Sequence, residues 1–284
     1  MTICLGAAVT IIVFAFLCEY MDSTLGMGYG TTMAPLLLLM GFPPVQIVPA
    51  ILLSELATGI LSGIMHHRKG NVDFSPKSYN PRLIAKSINR SGWVHSFRNG
   101  LPRHLRVVIL LVTCSMAGAV SAVFTAQVIS KFWQQIYIGV IVTLMGVIIL
   151  ICFNRDFKFS WFKITFLGIA ASFNKGLTGG GYGPLIVSGQ LLSGVNAKNA
   201  VGITSLAEGL TCVVGVLTYI AISRNSINWQ LAPFIIMGAI CSVPLAVKSV
   251  KNIDSGMLKI IAAVLTIILG VFTLVKTLME FKLI

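Results

Sequence analysis

The chain carries one glycine-rich motif twice, at a fixed distance of 153 residues. Gly26-Met27-Gly28-Tyr29-Gly30 returns as Gly179-Gly180-Gly181-Tyr182-Gly183. The register then holds without a gap: Leu38-Leu39 aligns with Leu191-Leu192, Gly41 with Gly194, Val48 with Val201, Leu53 with Leu206, Glu55 with Glu208 and Thr58 with Thr211. Of the 34 positions from Gly26 to Gly59, 11 are identical to their partners. Each copy is a glycine cluster among apolar residues, followed 29 residues later by a glutamate inside another apolar run. Duplicated halves with glycine-interrupted apolar segments point to a transporter whose binding site lies at the interruptions.

Composition narrows the class. The 284 residues are 56% hydrophobic and 10% charged, with mean hydropathy +0.91, against roughly 25% charged in a soluble domain. The sequence therefore reads as an all-α integral membrane protein, with repeats over residues 1–153 and 154–284 and no room for a soluble domain. In a soluble protein the net charge of +13 would suggest nucleic acid. Here nine Lys/Arg against one acid, Asp73, lie between Arg68 and Arg106. That is a positive-inside signal, so the loop 66–106 is placed in the cytoplasm and the protein in the plasma membrane, with lipid rather than nucleic acid as its surroundings. The apolar N-terminus has no basic lead or small-residue cleavage site and reads as a membrane segment. The six cysteines sit in apolar stretches without a CxxC and read as small buried hydrophobes.

A helix needs about 20 apolar residues to span a bilayer. Six stretches qualify: Pro44–Met65, Val107–Ile129, Phe132–Phe153, Ala200–Ile222, Trp229–Val247 and Met257–Val275. Ile3–Met40 and Trp161–Leu192 are too long for one helix, and each is cut by a glycine cluster. The segments after the cuts, Thr31–Met40 and Pro184–Leu192, are each about half a membrane long. Each region thus reads as a helix, a glycine loop at membrane depth and a short half-helix, giving about eight membrane segments. If each broken region crossed once, Lys198, Lys248, Lys251 and Lys259 would face outside. If each re-enters, the halves are inverted and these lysines fall inside with Arg155, Lys158 and Lys163. The inverted arrangement is preferred, although it leaves Lys131, Arg224 and the C-terminal lysines outside. Within the basic loop, Leu83, Ile84 and Ile88 share a helical face that could lie on the anionic leaflet; a solvated irregular loop fits equally.

Glycines without side chains let backbone N–H groups approach a ligand, and a helix N-terminus behind them adds partial positive charge. Together they suit an anion. This selects Gly28, Tyr29 and Gly30 in the first copy and Gly180, Gly181, Tyr182 and Gly183 in the second as substrate-binding candidates. The plainer reading is that such glycines only let helices pack closely. Thr31, Thr32, Asn174, Thr178, Thr204 and Ser205 could donate to oxyanion oxygens, or cap and bond backbone. Lys175 lies four residues before Gly179, where an unpaired charge costs a few kcal/mol. In register it stands against Asp22. It could bind an anionic substrate, pair with Asp22 across the pseudo-symmetry axis, or snorkel.

Glu55 and Glu208 sit mid-segment. Such carboxyls could carry coupling protons or bond a break in a neighbouring helix. His66, His67, His95 and His104 lie in or beside the basic loop, read as solvated, and lack metal-ligand spacing. No GxSxG, HExxH or intramembrane histidine is evident, so no enzyme, metal or cofactor is expected.

The run Leu25-Gly26-Met27-Gly28-Tyr29-Gly30, continuing to Pro35-Leu36-Leu37-Leu38-Leu39-Met40-Gly41, resembles the TauE/SafE sulfite exporter family, also called the 4-toluene sulfonate uptake permease family. So do His66-His67-Arg68-Lys69-Gly70-Asn71-Val72-Asp73 and Gly179-Gly180-Gly181-Tyr182-Gly183-Pro184. The resemblance implies a secondary transporter of sulfite, sulfonates or related oxyanions. The chain departs from the commoner family pattern in the motif tyrosines, in Lys175 and in the long basic loop. The expected function is alternating-access transport of a small sulfur-containing oxyanion, with proton coupling and a homodimer both open. Its rivals are a passive anion channel and a membrane scaffold that holds a partner through the basic loop.

Overall fold

The computed structural model describes residues 5–42, 44–75, 100–126, 131–151, 158–178, 181–222 and 227–281, and among these every regular element is a helix. The order is α1 (Leu5–Leu25), α2 (Tyr29–Leu39), α3 (Pro44–Arg68), α4 (Arg103–Ala126), α5 (Lys131–Ile151), α6 (Trp161–Thr178), α7 (Tyr182–Leu192), α8 (Ala197–Ile222), α9 (Ala232–Asn252) and α10 (Ser255–Glu280). Five described helices are long and apolar enough to cross a membrane: α1, α3, α8, α9 and α10. Helices are the natural outcome for such runs, because in hydrocarbon each backbone polar group must be satisfied within its own segment. Large apolar side chains cover their outer faces, among them Leu5, Phe162, Phe166, Leu217 and Ile268. The interface aromatics Trp133, Tyr137, Trp161 and Trp229 are exposed near helix ends.

The short helices match the sequence register residue for residue, α2 at Tyr29–Leu39 and α7 at Tyr182–Leu192. At 11 residues each they are about 16 Å long. The first interruption is tighter than the sequence suggested. Only Gly26, Met27 and Gly28 leave the helix, with φ of +74° at Gly26 and +118° at Gly28. Tyr29 and Gly30 already belong to α2, and Tyr182 and Gly183 to α7, so Gly30 and Gly183 are helical rather than loop residues. Gly41 and Gly194, partners in register, both come after a half-helix with positive φ, as helix C-termini favour. Pro184 falls in the first turn of α7, as expected.

Contacts fix how the helices run. A Cβ on Gly59 of α3 would lie 2.7 Å from Gly209 Cα of α8, while Gly63 faces Leu206, Gly202 faces His66 and Gly215 faces Leu52. The register partners α3 and α8 are therefore antiparallel. So are α5 and α10, where Gly139 meets Leu274 and Gly146 meets Ile267. By contrast α1 runs parallel to α9, through Ile12 against Gly238 and a 2.7 Å bond between the Tyr20 and Ser249 hydroxyls. Likewise α6 runs parallel to α4, through Gly168 against Leu111 and Gly118 against Ser172.

One end of these helices collects the basic residues. There Lys198 Nζ donates to the Lys251 carbonyl at 2.8 Å and Asn71 Nδ2 donates to the Val247 carbonyl at 3.1 Å. His104 bonds the Asp73 backbone. Arg103 stacks on Phe159 and Arg106 on Trp161. At the other end Asn228 Nδ2 donates to Gln46 Oε1 at 2.8 Å, joining the starts of α3 and α9. Hence α1 and α3 both begin at the far end, whereas α6 and α8 both begin at the basic end.

One reading of the basic loop changes. His66 is not solvated: it is fully buried at the end of α3, where its Nε2–H donates to the Ser23 carbonyl at 3.0 Å and its Nδ1 accepts from Asn71 Nδ2 at 3.0 Å. The local sequence offers only a basic loop edge there; the burial comes from α1 closing over it. The expected short helix around Leu83–Ile88 lies outside the described residues, as does His95. Of the cysteines, Cys18, Cys114 and Cys212 are buried as expected, but Cys241 faces outward from α9.

Candidate functional site

Lys175 is the centre of the buried polar chemistry. It lies in the last turn of α6, and its ammonium donates to Glu55 Oε2 at 2.8 Å and to Glu208 Oε1 at 2.7 Å. The side chains of all three residues are at least nine-tenths buried. Glu55 comes from near the middle of α3 and Glu208 from near the middle of α8. The Gly59–Gly209 crossing brings these helices close enough for one ammonium to reach both carboxylates. Cys212 Sγ adds a donor to Glu55 Oε2 at 3.4 Å. Glu208 Oε2 is buried without a hydrogen-bond partner among the described residues. The ammonium also stands 5.4 Å from the centre of the Tyr182 ring, the first residue of α7, within cation–π range. The ion-pair partners of Lys175 are thus Glu55 and Glu208, not the Asp22 set against it by register.

Asp22 does something else. Its Oδ1 accepts the Tyr29 N–H at 3.2 Å, so an internal carboxylate sits at the N-terminus of α2. Anions are stabilised at that end of a helix. The Tyr29 hydroxyl is fixed 2.8 Å from that of Ser54. In the second half, Asp22 is replaced by Lys175 and Ser54 by Ala207. The cap of α7 is Gly181, in the left-handed region at φ +76°, with no side-chain cap hydrogen bond. The first interruption packs directly on α7. A Cβ on Gly183 would lie 2.6 Å from the Gly26 carbonyl oxygen and 2.7 Å from Met27 Cα. Both glycine motifs therefore meet in one place.

The other candidates divide. Asn174 is fully buried on α6, one residue before Lys175. Thr204 is tied up in the α7–α8 interface, accepting from Gln190 Nε2 at 2.7 Å. Ser205 is buried on α8, with its hydroxyl unpartnered among the described residues. Thr32, on α2, has a buried hydroxyl likewise unpartnered. Gly28 is where the chain turns back, with Met21 packed over its open side. Gly180 lies outside the described residues, and the side chains of Thr31 and Thr178 are not described.

Glu19 escaped the sequence reading. It is buried in α1, with Oε1 accepting from Ser23 at 2.6 Å and Oε2 from Thr58 at 3.0 Å. Its register partner is Ser172, so a comparison built on identities between halves passes over it. The signal that could have found it is an ionisable residue within an apolar span. With Glu19 the buried ionisable groups among the described residues include four carboxyls and one ammonium. Among the described residues no group of His, Cys, Asp and Glu could hold a metal ion.

The sulfite exporter TauE/SafE family model matches residues 11–76 and 83–273, including both glycine motifs, both mid-helix glutamates and Lys175. The chain belongs to the TauE/SafE family. One similar relative, the probable membrane transporter protein YtnM of Bacillus subtilis (strain 168), is 25% identical over 281 residues, covering 94% of this chain and 83% of its own length. This TauE/SafE chain is a multi-pass membrane protein of a transporter family, with its buried polar groups gathered where the interrupted segments meet.

Proposed function

We propose that this protein is a secondary transporter that moves a small sulfur-containing oxyanion by alternating access, and that the anion binds between the start of α7 and Lys175. The observation that carries this is the difference between equivalent positions. At the start of α2 the anion place is filled by Asp22. At the start of α7 the equivalent residue is a lysine, and no side chain caps the helix. A helix N-terminus and an ammonium are then neighbours, the ammonium 5.4 Å from the Tyr182 ring and bonded to Glu55 and Glu208, and no carboxylate caps the helix as Asp22 caps α2. The sulfur oxyanion class rests on the family's description as sulfite exporters. In this reading Asn174, Lys175, Thr178, Gly180, Gly181, Tyr182, Gly183 and Ser205 line or back the site. Gly28, Tyr29, Gly30, Thr31 and Asp22 form the supporting first half, Thr204 holds α7 to α8, and Glu55 or Glu208 carries the coupling proton.

The halves are inverted repeats making about eight membrane segments, with α1–α2 and α6–α7 as re-entrant hairpins from opposite faces. Antiparallel register partners and broken regions that start and finish at the same end support this. The basic end is the cytoplasmic face of the plasma membrane. The test is binding and flux in proteoliposomes across sulfite, sulfate, thiosulfate and sulfonates. Saturable uptake of at least one, lost in Lys175→Ala, is expected; a folded protein that binds none of them overturns the reading.

A further inference from the structure

Building on that reading, we propose that the substrate anion and the Glu208 carboxylate exchange places on Lys175, so that Glu208 takes up one proton for each monovalent anion bound. The ion pairs set the terms. Lys175 is already bonded to two carboxylates, at 2.8 Å and 2.7 Å, so the triad carries one net negative charge before any substrate arrives. An anion can bond the same ammonium only by displacing a carboxylate. A displaced carboxylate in this dry place is a buried unpaired charge, and such groups neutralise rather than stay ionised. Protonation from water on the side of entry restores the original charge: one monovalent anion in, one proton in, and the triad together with its anion is still at minus one. On release the carboxylate returns to the ammonium and the proton leaves with the anion. A divalent anion would require the same triad to take up a second proton, so this site favours monovalent oxyanions such as sulfonates and hydrogen sulfite.

The geometry also selects which glutamate moves. Glu55 Oε2 holds both Lys175 and Cys212 as donors. Glu208 has Lys175 on Oε1 and no partner on the buried Oε2 among the described residues. Fewer donors make Glu208 the less stabilised anion once the ammonium is withdrawn, and its open oxygen has room for the proton. Its surroundings oppose a free negative charge. Glu55 faces it from α3, Glu19 and Asp22 from α1, and Tyr182 from α7, with Cys212 on its own helix. Lys175 on α6 is the cation beside it. The other helices packed on α8 carry their charges toward their ends: Arg103, His104 and Arg106 on α4, and Lys276 and Glu280 on α10, among the described side chains.

The experiment uses the purified full chain in lipid nanodiscs, with methanesulfonate as probe because its single charge is constant across neutral pH. A linked proton makes affinity fall as pH rises, by up to about tenfold per unit over the range where Glu208 is ionised in the free protein and protonated in the complex. Glu208→Gln should flatten that slope and bind the anion more tightly at the alkaline end, because the amide leaves Lys175 without protonation. Glu55→Gln should retain the slope. Independently, wild-type protein in weakly buffered solution should remove about one proton from solution per anion bound, a measurement that stands even where Glu208→Gln does not fold. Binding with a flat pH dependence and no proton uptake overturns the exchange alone, as does a full slope in Glu208→Gln. A folded wild type that binds no anion of the sulfite, sulfate, thiosulfate and sulfonate series overturns the anion reading and takes the exchange with it.

Discussion

A single ammonium holds two carboxylates from two different helices, and removing it shows what each partner is worth. Lys175→Ala leaves Glu55 and Glu208 facing each other without a cation. Breaking a buried ion pair by deleting one partner costs about 3–5 kcal/mol. The expected outcome is a clear fall in thermal unfolding temperature of the purified protein together with loss of anion binding. Adding Glu55→Gln and Glu208→Gln to Lys175→Ala should restore most of the stability and none of the binding. A Lys175→Ala protein as stable as wild type would mean the triad is not an ion pair. Asp22 and Lys175 show why residue type alone misleads. They are register partners at equivalent places, yet one bonds the start of its half-helix and the other turns to α3 and α8. Their difference in charge was plain in the sequence, but not their partners, because α3 and α8 lie far away along the chain.

At the scale of elements, the short helices are specified by what stops them. Positive-φ glycines flank them on both sides, and those positions recur at the 153-residue spacing. Gly183 has a second role, since α7 rests on the Gly26–Met27 backbone at that residue. Gly183→Ala should therefore push the interrupted segments apart. Gly59→Ala should do the same at the α3–α8 crossing, where the obstacle is backbone as well. By contrast Gly6→Ala on α1 meets nothing within 4 Å and should change stability by no more than about 0.5 kcal/mol. Folded fraction after a heating step, read by size-exclusion chromatography, separates these outcomes. Equal behaviour of all three variants would show that close approach at the glycines does not matter.

For the whole molecule, the arrangement turns on which ends come together. Arg68 and Lys251 are exposed at the basic end, and Gln230 is exposed at the opposite end before α9. In a background lacking Cys241, single cysteines at Arg68 and Lys251 should react with a membrane-impermeant maleimide from the cytoplasmic face. A cysteine at Gln230 should react from the other face. Labelling of the Arg68 and Lys251 positions from different faces would break the inverted arrangement and its re-entrant hairpins.

Much of the fold was legible in the sequence because it arises from local chemistry. Apolar runs of about 20 residues dictate helices, and the spacing of the duplicated glycines placed α2 and α7 to within two residues. The loop charges lead to the inverted halves of the proposed function for a reason that needs no contacts, the bias of basic residues between membrane faces. The meeting of Glu55, Lys175 and Glu208, the capping of α2 by Asp22, and the burial of Glu19 and His66 belong to tertiary structure. The triad and the burial of Glu19 and His66 depend on partners from other helices distant in sequence, and the Asp22 cap on the chain turning at Gly26–Gly28. Sequence can show that a charge sits in a membrane segment, but which group neutralises it is decided by packing alone.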